Sequence, residues 1–147
     1  MPDAVPERIF HIATAADWRR AVATGRYTTS TVGRTLDEVG FIHACRRDQV
    51  RAVFDRYYAS LGEDLVLLTI DPARLTAARV VLEPVGDDIY PHVHGPLERD
   101  AVVGVAPLDR RGRPQTLTSL WVRGMARRMG VALVVMVIVT VLVLALT

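Results

Sequence analysis

The sequence predicts an α+β domain with a mixed or antiparallel sheet and two main helices, followed by a single C-terminal transmembrane helix. Three observations carry this. The apolar patterning runs strand, helix, strand, helix and then mostly strands. One short continuous apolar run, DLVLLTI from Asp64 to Ile70, has the character of a strand buried on both faces. The nineteen residues Met129 to Thr147 are uncharged and apolar throughout, longer than any strand and lacking the polar face of a soluble helix.

The elements follow in order. Arg8 to Ala13 reads as a first strand, and Thr14 as the N-cap of a helix with Asp17 at its third position and Gly25 closing it. Trp18, Ala21 and Val22 mark the core face of that helix. Arg26 to Ser30 reads as a loop and Gly40 to Ala44 as a second strand. In Asp48 to Leu61, Val50, Val53, Phe54, Tyr57 and Tyr58 recur at helical spacing, and Gly62 stops the helix. Asp64 to Ile70 is the central strand. Asp71-Pro72 opens a single turn to Leu75, Arg79 to Pro84 is a strand, Gly86 to Asp88 a turn, and Ala101 to Ala106 the last strand.

The domain is expected over residues 1–108, an arginine-rich linker over 109–119, and a juxtamembrane and transmembrane helix over 120–147 with its core span at 129–147. At about 1.5 Å per residue that span covers roughly 28 Å, close to the hydrocarbon thickness. Its seven Val, four Leu and one Ile favour insertion by about 4–7 kcal/mol. Arg123, Arg127 and Arg128 precede it, so the positive-inside rule predicts a single-pass membrane protein with its N-terminal domain in the cytoplasm. Trp121 suits the interface belt.

All eighteen basic residues are arginine, which excludes a Schiff-base lysine and a lysine-bearing phosphate loop. Residues 1–108 carry twelve Arg against fifteen Asp and Glu, whereas residues 109–128 carry six Arg against Asp109 alone. The net charge of +2 therefore belongs to the juxtamembrane segment, which faces anionic headgroups. Nucleic-acid binding by overall charge has no support in the domain. The single cysteine, Cys45, excludes an intramolecular disulfide and agrees with a reducing compartment.

The four histidines, His11, His43, His92 and His94, fall at strand edges or in the loop before the last strand. By alternation His11 points with Ile9 and Ala13, and His43 with Phe41 and Cys45. If the first two strands are neighbours, both imidazoles meet on one face. Each is otherwise a satisfied core or rim histidine.

The segments IFHIATAADW, GRYTT, GFIHACRRDQV, LVLLTIDPARL and YPHVHGPL closely resemble, in this order, the DUF952 family of small bacterial proteins of unknown function. The resemblance covers roughly residues 8–108. It implies an ADP-ribosyltransferase-like fold, a compact split-sheet α+β domain that binds NAD or another nucleotide in a cleft and acts as an ADP-ribosyltransferase-like or phosphotransferase-like enzyme. IFHIA resembles the first-strand histidine motif of that superfamily, and GFIHAC the second histidine motif of the RNA 2′-phosphotransferases. His11 then matches the histidine that grips the NAD ribose hydroxyls, and His43 the one that orients the nicotinamide side. Cys45 stands where that pattern has a serine, and the catalytic glutamate of the classical enzymes has no evident equivalent. His92 or His94 is placed to supply a third catalytic group, with Glu98 a weaker candidate.

Cleavage of a nicotinamide–ribose bond develops an oxocarbenium-like charge, which calls for hydroxyl-gripping donors and tight control of orientation. Arg26 and Tyr27 offer a guanidinium for a phosphate and an aromatic face for stacking; Tyr27 also reads as an ordinary packed aromatic. Three other readings stand beside this one. His92-x-His94 with His11 or His43 has the makings of a His₃ metal site. Cys45 near His43 invites a thiol nucleophile. A non-catalytic module that binds a nucleotide or a protein partner at the membrane fits the same residues.

Overall fold

The computed structural model describes residues 4–115 together with Val134, Met136, Ile138 and Thr140. Residues up to Pro114 form one compact unit, of mixed α+β character with few helices and several small sheets. Strand β1 (Ile9–Thr14) is buried along its whole length. It runs directly into helix α1 (Ala15–Thr24), where the Thr14 side chain accepts from the Asp17 amide and Gly25, at φ 79°, ends the helix in the left-handed conformation that glycine favours. Ala21 is buried on this helix, whereas Val22, expected on the core face, is exposed.

Where the sequence predicts a loop, Arg26 to Ser30, the chain instead makes two short strands, β2 (Arg26–Tyr27) and β3 (Thr29–Thr31), and a third, β4 (Arg34–Thr35), follows. Each is too short for an alternating pattern to register. One turn of helix, α2 (Leu36–Val39), follows with a Thr35–Glu38 capping box. The second predicted strand shrinks to β5 (Ile42–His43). Helix α3 (Val50–Tyr57) is entered through a 3₁₀ turn at Arg47–Gln49 and is shorter than its periodicity suggests. Beyond it lie β6 (Leu65–Ile70), β7 (Arg79–Val85), β8 (Asp88–His94), β9 (Leu97–Glu98) and β10 (Val102–Pro107).

The expected single split sheet, mixed or antiparallel, is among the described residues four small sheets, and of the two pairings all strand pairs take the antiparallel one. One has the order β1-β6-β10 and another β5-β8-β7, while β2 pairs with β9 and β3 with β4. As the run Asp64 to Ile70 predicts, β6 is central. The two larger sheets touch through an isolated bridge, with Phe10 N–H donating to the Cys45 carbonyl at 2.9 Å and Cys45 N–H to the Phe10 carbonyl at 2.8 Å.

The first sheet has apolar packing on both faces. Ile9, Ala13, Leu68 and Ile70 pack with Ala21, Tyr27, Ile42 and Leu97. Phe10, Ile12 and Leu67 pack on the other side with Val50 and Phe54 of α3 and with Tyr58, which caps it. His92 and His94, expected in a loop, lie in β8, the middle strand of the second sheet. Pro91 hides this strand from sequence reading, because proline seldom occupies a central strand. The structure tolerates it because β5 reaches only as far as His43, opposite His92, so beside Pro91 there is no β5 ladder bond to lose.

Residues 109–114 belong to the compact unit. Asp109 accepts from the amides of Arg111 and Arg113, and Arg51 reaches the Arg111 carbonyl at 2.6 Å. Gly112, at φ 69°, lies so close to the Phe54 ring that an added Cβ would clash with it. No helix among the described residues is long and apolar enough to cross a membrane. The predicted spanning segment lies almost wholly outside those residues; Val134, Met136, Ile138 and Thr140 within it are helical.

Candidate functional site

A cavity of about 350 Å³ opens between the two larger sheets and α3. Phe10, His11 and Ile12 of β1 form its back, and His43 and Cys45 come from β5 and the residues just after it. Ala52, Val53, Arg56 and Tyr57 of α3 line one side. The spacing of these four puts them on one helix face, while Val50, Phe54 and Tyr58 turn to the core. Tyr90 and His92 close the opposite side from β8, with Phe41 beside them.

His11 and His43 lie at the same cavity, but the direct link between them is one imidazole and one backbone carbonyl. His11 is 2% exposed. Its Nδ1 stands 2.5 Å from the His43 carbonyl, which can only accept, so Nδ1 carries the proton. Its Nε2 then accepts from the Tyr27 hydroxyl at 2.8 Å. Both ring nitrogens are thus engaged within the protein. Burial, partly offset by the His43 carbonyl, pushes the His11 pKa down to about 4, and burial raises that of Tyr27. The pair is neutral at pH 7, as a buried imidazole held only by neutral partners must be.

His43 and His92 present a different arrangement. The Ser30 hydroxyl donates to the Phe41 carbonyl at 2.5 Å, so its oxygen accepts from His43 Nδ1–H at 2.9 Å. That fixes the tautomer and leaves Nε2 as the basic nitrogen, without a partner among the described residues. Burial, reinforced by the neighbouring His92, lowers the His43 pKa. His92 Nδ1–H donates to Glu83 at 2.6 Å, and its ring stacks on Phe41 with centroids 4.3 Å apart. Hydrogen bonds from His92 first and His94 second hold the Glu83 carboxyl below its usual range. The His43 and His92 rings meet edge to face at 5.2 Å. One imidazole is backed by a hydroxyl and the other by a carboxylate.

The remaining sequence candidates are distributed otherwise. His94 shares Glu83 at 3.2 Å but stands outside the cavity lining. Arg26 is exposed and pairs in register with Glu98. One Glu98 oxygen accepts from the Thr76 amide and hydroxyl and from the Ala77 amide, which clamps a loop away from the cavity. Tyr27 is packed in the core with its hydroxyl on His11. Cys45 lines the cavity, and burial pushes its thiol up to about 12, which keeps it protonated. Among the described residues no group of three or more His, Cys, Asp or Glu is arranged to hold a metal ion.

Sequence reasoning did not single out Ser30, Glu83, Phe41 or Arg56. Glu83 left a trace, as the lone carboxylate inside the apolar strand RVVLEPV. Ser30 left none, because a serine in a threonine-rich stretch looks solvated and here is completely buried.

The fold and site together define a small α+β domain with one aromatic-lined, histidine-bearing cavity. The chain belongs to the DUF952 family, described as a protein of unknown function, whose pattern matches residues 12–105. Among solved structures it is similar to protein CC0527 from Caulobacter crescentus, with TM-score 0.58 and 29% identity over 74% of this chain and 93% of that one. A double mutant of the same protein gives TM-score 0.58 at 27% identity, again over 74% and 93%. No curated protein matches the chain.

Proposed function

We propose that the cavity binds a nucleotide of the NAD type and that His43 and His92 handle protons there, in chemistry of the ADP-ribosyltransferase or phosphotransferase kind. The observation that supports this is the contrast between the two imidazoles. His43 is desolvated and held by a neutral hydroxyl, so its Nε2 acts as a base. His92 has a carboxylate behind it, with its Nδ1–H held by Glu83. Environments that differ in this way separate a general base from a general acid. Phe41, Tyr57 and Tyr90 provide aromatic surface for a planar ring.

A non-catalytic nucleotide-binding module is the second reading, and His11 favours it. With both nitrogens committed to Tyr27 and His43, that ring has no free atom with which to grip a ribose. On this view His11 is a positioning residue for β5.

Ligand binding is read as thermal stabilisation of the full chain in detergent, which grows with ligand concentration over Kd. NAD, ADP-ribose or a 2′-phosphorylated RNA at millimolar concentration raises the melting temperature, and His43→Ala abolishes the rise. Turnover selects the enzyme, and stabilisation without turnover selects the module. No shift with any of the three overturns both.

The reading includes a membrane tether at residues 129–147 with the domain on the cytoplasmic side. Its support is the uncharged run itself and the Thr140 hydroxyl, which donates to the Met136 carbonyl at 2.8 Å and so is satisfied within its own helix, as a lipid environment requires. The full chain stays in the membrane pellet after carbonate extraction. Release into the supernatant makes the association peripheral, through the arginines.

A further inference from the structure

We infer that the cavity takes a mononucleotide-sized ligand, one aromatic ring joined to a single anionic group, and that Arg56 binds the anion. The inference rests on the nucleotide reading above and narrows it.

Charge comes first. Among the described residues no Asp or Glu lines the cavity, and Arg56 is the one Lys or Arg side chain that does. Its neighbours on α3 show how it is kept available. Arg51 is committed to Asp55 at 2.8 Å and to the Arg111 carbonyl, both away from the cavity. Arg56 has no carboxylate within ion-pair distance among the described residues. Its guanidinium lies over the Tyr57 ring, 5.5 Å from the centroid, which orients the planar fork without neutralising it. A guanidinium in that state matches the oxygens of a phosphate with two parallel hydrogen bonds. Arg26, which the sequence offers for this role, lies outside the lining.

Size comes second. About 350 Å³ is at the low end of the roughly 300–1,000 Å³ found for small-molecule sites. Of the lining aromatics Phe41, Tyr57 and Tyr90, the first has one face taken by His92 and the second one face taken by Arg56, which leaves Tyr90 without a stacked partner among the described residues. This suits one ring. A dinucleotide brings a second nucleoside and a second phosphate, for which the lining, among the described residues, offers neither volume nor cation. Its other half projects into solvent and adds no affinity.

The test is a calorimetric titration of the full chain in detergent with two matched pairs, AMP against adenosine and nicotinamide mononucleotide against nicotinamide riboside, with NAD alongside. At least one monophosphate binds about ten-fold or more tightly than its nucleoside, the scale of a charge-assisted bidentate contact, and NAD binds no more tightly than the better mononucleotide. Arg56→Gln keeps a good helix former at an exposed position and lowers the monophosphate affinity to that of the nucleoside. Arg56→Lys restores part of it. A phosphate preference that survives Arg56→Gln, or NAD binding ten-fold more tightly than either mononucleotide, overturns the inference and leaves the nucleotide reading intact. Equal binding of nucleoside and monophosphate overturns it in the same way. If neither NAD nor any member of either pair binds, the nucleotide reading fails and takes this one with it.

Discussion

The β1-β6-β10 and β5-β8-β7 sheets have the same number of strands and are joined by a single bridge, yet they do different work. The first is built from runs such as IFHIAT and LVLLTI and is packed on both faces. Its one histidine is closed off, with both nitrogens satisfied. The second contains a proline in its middle strand, a two-residue strand and a carboxylate shared by two histidines. Much of β7 is partly or fully exposed. The same side chain, imidazole, is therefore structural in one sheet and chemically available in the other. Burial and partners make the difference.

The comparison breaks most visibly at Leu68, the fully buried centre of β6. Leu68→Ala removes buried methyl groups from a close-packed interior and costs about 4 kcal/mol of unfolding free energy, measured by chemical denaturation.

Acid acts next, through His11. Its folded pKa, about 4, lies below the ordinary 6.5, so the unfolded chain takes up a proton that the native chain refuses. The stabilisation is fully present above pH 6.5 and is lost as pH falls towards 4, by about 3 kcal/mol in all. The lowered His43 pKa acts in the same direction. His11→Gln removes the first group, so its denaturation midpoint falls less steeply between pH 6.5 and 4.5. An unchanged slope assigns the acid sensitivity elsewhere.

The smallest expected effect sharpens the contrast from the other side. Glu83→Gln removes the carboxylate behind His92, yet the Glu83 side chain is 34% exposed, and partly exposed pairs contribute little, about 1 kcal/mol or less. Apo stability holds within that range. The signature is local: proton NMR loses the downfield His92 Nδ1–H resonance that a carboxylate partner shifts. A loss comparable to that of Leu68→Ala makes this pair structural.

The elements that the sequence reveals are those where local physics and tertiary need coincide. Thr14 caps α1 and Gly25 ends it, as their chemistry requires. The unbroken apolarity of Asp64 to Ile70 signals a strand that is covered on both sides, and β6 is. In α3, Val50, Phe54 and Tyr58 face the core as the helical spacing indicates, but Tyr57, counted with them, is 54% exposed at the cavity. A helix stripe is wider than the contact it makes, and only the packed neighbours decide which of its margins is a wall and which a mouth.

By itself the sequence determined the α+β class, the first helix with both caps, the central strand, the uncharged run at 129–147 and the identity of the four histidines, because each depends on residues close together in the chain. Tertiary structure alone decided that Ser30 would lock His43, that Glu83 would join His92 to His94, and that Arg56 rather than Arg26 would face the cavity. Those pairings link residues 9 to 13 positions apart or on elements that meet only after the sheets assemble. No periodicity encodes them, since a hydrogen bond across a fold depends on where two strands are placed and leaves no mark on either strand's own pattern.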